Sequence, residues 1–271
     1  MIKDITIGQY FPLNSPIHKL DARVKIVLTL VFLVFVFVCN NFWSLGLISV
    51  FGVAAYLLSK LSPKLVIKSF KPILPIIILT TVLQLYYIKK GDVLFEWKFI
   101  TITEGGIYNA IFIAVRIFVL LFVSSLLTYT TSPTDLTDGI EKLLSPLKVF
   151  KVDIHTFAMM MTIALRFIPT LVDEIDRIMS AQKARGADFE TGNLIKRVKA
   201  LFPILIPLII SAFKRAIELA DAMSCRCYTG GDTRTRLRQM KITYRDIVAI
   251  FVTVLVCGGA VALRFLFNPI I

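Results

Sequence analysis

The chain has 271 residues, 31 basic against 18 acidic side chains for a formal charge of +13, and 56% hydrophobic residues with a mean hydropathy of +0.77. So much apolar surface exceeds what a soluble core of this size buries, which excludes an ordinary cytosolic enzyme, and it excludes disorder as well. Four cysteines cannot form a dense disulfide framework, yet 18% of residues are charged, more than spans joined by short loops need, so a sizeable part is expected outside the bilayer.

The first twenty residues are mixed, with Pro12, Pro16, His18 and Lys19, and lack the apolar stretch of a secretory signal, so the N-terminus is expected to stay in the mature protein. From Val24 to Cys39 the chain is apolar except for Lys25; Asn40 and Asn41 break it, and a second run continues through Leu58. A bilayer core takes roughly twenty helical residues, fewer where the ends snorkel, so these runs predict a tight hairpin of two spans. A third span is predicted over Phe70 to Tyr87. A polar stretch with Gly91, Asp92, Glu96 and Glu104 precedes a fourth over Ile107 to Leu127, and a fifth covers Ile247 to Phe267. Lys19, Arg23 and Lys25 before the first span, with Lys60, Lys64, Lys68 and Lys71 after the second, predict a cytoplasmic N-terminus. Five spans then place the C-terminus outside.

The stretch from Thr130 to Asp246 carries the excess charge. A short helical piece over Asp135 to Val149 comes first, with Leu136, Ile140, Leu143 and Leu144 on one face. Phe157, Met160, Met161, Ala164, Phe167, Ile168, Leu171, Val172, Ile175 and Ile178 then recur at spacings of three and four, opposite Arg166, Asp173, Glu174, Asp176 and Arg177. That pattern predicts a long amphipathic helix that is not a span. A second long pattern runs from Leu194 to Met223; its apolar centre is short for a bilayer, and Pro203 and Pro207 are expected to bend it. The expected fold is all-α: a polytopic membrane protein with about five transmembrane helices plus three cytoplasmic helices, two of them long and amphipathic. Its predicted parts are residues 1–129, 130–246 and 247–271.

Little chemistry is written in the chain. There is no G-x-x-x-x-G-K-[ST] loop, and Gly230 and Gly231 lack the strand and lysine of one. His18 and His155 are far apart, and the Cys225/Cys227 pair has no second pair to complete a metal site, so neither metal nor cofactor is expected. No nucleophile and base pair marks a catalytic residue. Within the spans the one clear deep charge is Arg116, which either pairs inside the bundle or snorkels; its place about halfway along the span favours a structural ion pair or a clamp on backbone carbonyls.

Two endings resemble each other: AQKARGADF around Ala184, Arg185 and Gly186, and AMSCRCYTGG around Cys225, Arg226 and Cys227. One reading is helix capping, in which a cation favours the C-terminal dipole by a few tenths to about one kcal/mol and Gly186 supplies a left-handed cap. The other is docking, in which two guanidinium groups plug into two equivalent grooves of a dimeric partner. From the residues alone both stand.

The sequence also resembles a known family over nearly its whole length: the transmembrane T component of energy-coupling factor (ECF) transporters. SPIHKLDARVKI (Ser15 to Ile26) resembles the family's N-terminal S-x-h-x-L-D-P-R-x-K signature, with Ala22 where proline is usual. EGGIYNAIFIAVRI (Glu104 to Ile117), TTSPTDL (Thr130 to Leu136), ALRFIPTL (Ala164 to Leu171) and AQKARG (Ala181 to Gly186) resemble later family segments. The resemblance implies a scaffold of an ABC-type importer in a prokaryotic cell membrane. Its implied partners are two ATP-binding cassette ATPase subunits, a substrate-binding membrane S component and the lipid bilayer, and not nucleic acid. It implies that Ala184, Arg185 and Gly186, and with them Cys225, Arg226 and Cys227, dock into the ATPase subunits. Here Cys225 and Cys227 depart from the family's alanine and glycine. It further implies S component contact through Met160, Ala164, Phe167, Leu171, Leu205 and Ile209, with ATP hydrolysis left to the partners and vitamins or other micronutrients as cargo. The alternative class is a self-contained secondary transporter or channel, which acid-poor spans disfavour. A membrane-bound enzyme is disfavoured by the lack of a catalytic constellation.

Overall fold

The computed structural model describes residues 10–88, 92–97, 100–150, 153–187, 194–228 and 240–266, and the described residues form nine α-helices and one β-hairpin. Helix α1 (Ala22–Val38) starts at Asp21, whose carboxylate accepts the Arg23 N–H as an N-cap, and stops before the two asparagines. Helix α2 (Phe42–Ser59) ends where Lys60 turns left-handed at φ 56. A short helix α3 (Pro63–Phe70) and helix α4 (Leu74–Tyr87) follow. Strands β1 (Val93–Trp97) and β2 (Ile100–Thr103) pair antiparallel and lead into α5 (Glu104–Thr130). Next come α6 (Pro133–Leu144) with a 3-10 segment Ser145–Phe150, the long helices α7 (Ile154–Ala184) and α8 (Leu194–Cys225), and α9 (Tyr244–Leu266).

The architecture is all-α apart from the hairpin, and it departs from the sequence reading at three places. The stretch read as a polar connector before α5 pairs as strands because Val93, Phe95, Trp97, Ile100 and Ile102 favour extended backbone. The third apolar run divides at Lys71–Ile73, where Pro72 and Pro75 interrupt helical hydrogen bonding, leaving α3 separate. The five helices long and apolar enough to cross a membrane are α2, α5, α7, the Lys199–Cys225 part of α8, and α9. Thus α8 is not too short. The expected spans α1, with 17 residues, and α4, with 14, fall below that length. Length and average hydropathy do not register that the apolar residues of α7 and α8 follow a one-sided period whereas α1 is apolar all round.

The chain divides into two compact units, one of Gln9–Gly139 with Arg238–Ile271, the other containing Ile140–Leu237. In the first, α5 is the axis: it packs on α1, α2, α3 and α4, and α9 closes on α1 and α2. Phe32, Val36, Leu45, Ile48, Phe112, Val119 and Ala260 form its dry core. The ring of Phe42 meets Phe112 edge-on at 5.4 Å, and Phe70 stacks on Phe118 at 4.4 Å. Gly52 lets α2 approach Phe122, Val123 and Phe32. Arg116 lies with its guanidinium 4.7 Å from the Phe112 ring centroid and donates to the Cys39 carbonyl at the end of α1. Arg116 thus pairs inside the bundle as a carbonyl clamp.

The segment before α1 is tied down as well. Phe11 N–H donates to the Tyr129 carbonyl at 3.1 Å, and the His18 Nε2–H donates to the Phe11 carbonyl at 3.0 Å. Since a carbonyl only accepts, Nδ1 is the bare nitrogen and accepts from the Ser15 hydroxyl at 2.7 Å. Burial holds the His18 pKa below its ordinary 6.5, the Phe11 carbonyl opposes that, and the Lys25 ammonium adds to it. The fold therefore favours neutral imidazole: its contribution is complete above pH 6.5 and is lost as pH falls through the lowered folded value. The melting temperature of the purified protein is expected to drop as pH falls below 6.5. His18→Gln, which keeps a donor for Phe11 but cannot titrate, should show a shallower drop. Identical profiles for the two proteins would count against the assignment.

Candidate functional site

The unit containing Ile140–Leu237 is built on the pair α7 and α8, and three contacts fix their direction. Tyr228, just past α8, donates its hydroxyl to Met159 Sδ near the start of α7 at 2.8 Å. Arg215 and Glu174 form an ion pair at 2.8 Å in the middle. Gln182, near the end of α7, donates to the Pro203 carbonyl early in α8 at 3.4 Å. The helices are thus antiparallel. The last contact has a specific cause, because Pro207 has no N–H to give the Pro203 carbonyl its helical partner, and Gln182 supplies one. At the other end of the element Asp153 caps α7, accepting the Thr156 N–H at 3.1 Å, and His155 meets Glu141 at 3.2 Å.

The two arginine motifs end these helices with the same backbone geometry. In α7 the Gly186 N–H returns to the Lys183 carbonyl and the Ala187 N–H to Gln182, both at 3.0 Å. In α8 the Cys227 N–H returns to Ser224 at 2.9 Å and the Tyr228 N–H to Met223 at 3.0 Å. Each is a Schellman cap, with the arginine at the last half-helical position and the next residue left-handed: Gly186 at φ 82, Cys227 at φ 56. The departure at Cys227 therefore leaves the bend in place. Its Cβ costs on the order of 1–2 kcal/mol that glycine does not.

Because backbone N–H groups already take the terminal carbonyls, neither arginine is needed to cap its helix. Both are exposed, as are Ala184, Gly186, Cys225 and Cys227, and among the described residues neither guanidinium meets an acceptor. The antiparallel pairing sets the two arginines at opposite ends. From Pro203, beside the end of α7, to Arg226 at about 1.5 Å per residue is roughly 35 Å.

Of the residues expected to meet a membrane partner, Met160, Ala164, Leu205 and Ile209 are exposed, while Phe167 and Leu171 are half-buried. On α8 the exposed apolar row continues through Leu201, Phe213 and Ile217. Among the described residues no three His, Cys, Asp or Glu side chains lie together as metal ligands. Sequence reasoning missed Gln182 and Met159, whose roles are set by tertiary neighbours.

The family model of the CbiQ cobalt transport protein matches residues 13–237. The energy-coupling factor transporter transmembrane protein EcfT of Ruminiclostridium cellulolyticum is 49% identical over 98% of this chain and 100% of its own length. The chain belongs to the EcfT family. EcfT of Clostridium kluyveri is 52% identical over 95% of this chain and 96% of its own, and that of Bacillus subtilis 42% over 92% and 94%. As an EcfT family member the chain is a membrane transporter subunit, and both arginine caps fall within the stretch matched by the family model.

The cap geometry makes opposite stability predictions for the two left-handed positions. Gly186→Ala should lower unfolding free energy by about 1 kcal/mol, and Cys227→Gly should raise it by a similar amount. Denaturation of the purified protein measures both, and equal effects of the same sign would refute the shared left-handed cap.

Proposed function

We propose that this chain is the transmembrane scaffold of an ECF-type importer. It couples ATP binding and hydrolysis by two partner ATPase subunits to reorientation of a substrate-binding S component, for uptake of vitamins or other micronutrients. No covalent chemistry belongs to the chain itself. It lies in a prokaryotic cell membrane, with the N-terminus and the helices of residues 130–246 cytoplasmic and the C-terminus outside. On this reading α7 and α8 are coupling helices rather than spans.

The observation that carries the proposal is the repeated cap: two exposed guanidinium groups, each presented by a rigid helix end, roughly 35 Å apart on one antiparallel pair. Two equivalent grooves on a pair of ATPase subunits are what such a pair fits. Planar, multidentate guanidinium can make several directed bonds in each groove, which an ammonium cannot. When ATP draws the subunits together, the helix ends follow, and the exposed row of α8 with Met160 and Ala164 passes the displacement to the S component. Energy is transferred because contacts differ between the two states.

Arg185→Lys and Arg226→Lys keep the charge and remove the fork. Each is expected to lower co-purification of the ATPase subunits at least tenfold, about 1.4 kcal/mol, and the double variant to abolish it. Full assembly of both lysine variants would remove the docking reading. Ile209→Asn should leave the ATPase subunits bound and weaken retention of the S component; unchanged retention of the S component would assign that face to lipid instead.

A further inference from the structure

The signature segment before and into α1 makes contacts that neither arginine cap uses. Lys25 is buried, and its three ammonium protons find three acceptors: the His18 carbonyl at 3.2 Å, the Thr130 carbonyl at 2.9 Å and Thr131 Oγ1 at 3.3 Å. Thr130 and Thr131 are the corner where α5 ends and the chain turns towards α6. Asp246, 1% exposed, accepts the Asp21 N–H at 2.8 Å through Oδ1 and the Thr243 N–H at 2.7 Å through Oδ2. It is the third residue of α9, so one carboxylate takes the N–H of the residue before α9 and also holds the residue that caps α1. Arg23 completes the group, bidentate to Asp21 at 2.7 and 3.1 Å and donating to the Met240 carbonyl at 3.2 Å. The charges are compensated, Arg23 by its ion pair with Asp21 and the buried Lys25 by the nearby carboxylates of Asp135, Asp246 and Asp21, which is the condition for keeping them in the fold.

All of these groups lie in the unit of Gln9–Gly139 with Arg238–Ile271, and two of the tethered points have a topological meaning. The α5–α6 corner is where the chain heads out of this unit, and Met240–Thr243 is where it has returned. We infer that Asp21, Arg23, Lys25 and Asp246 are positioning residues that form a clasp. The clasp holds the outgoing and returning chain at fixed points on the bundle, tying the end of α5 and the start of α9 to the start of α1. The clasp does not rest on the proposed coupling function.

The test measures the freedom of one unit against the other in the full chain without any partner. Nitroxide labels at Val50→Cys and Ile217→Cys, with the four native cysteines replaced by alanine, report the inter-unit distance by pulsed electron resonance. The pair Phe157→Cys and Ile217→Cys reports within the hairpin. Lys25→Met and Asp246→Asn are expected to widen the inter-unit distribution at least twofold relative to the parent while leaving the hairpin distribution unchanged, and Lys25→Arg, which still donates, should restore the parent's width. Should these two variants fail to fold, Thr131→Val, which removes one acceptor of three, is read the same way. An inter-unit width equal to the parent's would overturn the clasp, as would equal broadening of both pairs, which would mark the residues as general folding determinants. Loss of ATPase binding by the arginine variants is a separate measurement, so failure of the docking reading and failure of the clasp are told apart.

Discussion

The constraint on which the long helices depend is that a helix end leaves carbonyls without donors. α7 and α8 meet it in the same way, by turning the chain left-handed one residue after an arginine and folding two backbone N–H groups back. This solution uses no side chain. It therefore leaves each guanidinium exposed at the tip of a helix whose last turn is fixed, a disposition suited to recognition by another surface. Had the arginines been required to neutralise their own helix ends, they would be unavailable for anything else.

The same constraint is met elsewhere by side chains reaching across the fold. Arg116 supplies a donor to the Cys39 carbonyl at the end of α1. Gln182 supplies one to the carbonyl orphaned by Pro207. Asp246 serves the starts of two helices with one carboxylate. Each such contact gives a partner to a backbone group that its own helix leaves unpaired, and each ties one helix to another.

Much of the helix pattern was legible in the sequence because apolar runs and their breaks dictate it. The hairpin before α5 was missed because its strands are short and interrupted by charge. Helix α8 passes a length-and-hydropathy test because its one-sided pattern averages to the same value as a span. The arginine motifs were visible as a repeat, but their antiparallel placement depends on Met159, Glu174 and Gln182, which no local pattern marks. The signature around Asp21, Arg23 and Lys25 was equally visible and its meaning was not, since its partner Asp246 lies 225 residues away.

The prolines of the long helices give them uneven stiffness. Pro169 interrupts α7, and Pro203 and Pro207 interrupt α8 near its start, each removing a hydrogen bond and admitting a bend. Beyond them, from Thr170 to Ala184 and from Leu208 to Cys225, neither helix contains proline or glycine. Each arginine thus stands at the tip of an unbroken arm with its pliable point at the root. Each arm is also braced by its neighbour, with Gln182 at the tip of one held to Pro203 at the root of the other, Tyr228 held to Met159, and Arg215 paired with Glu174 between them, so a load on either tip is shared by both helices.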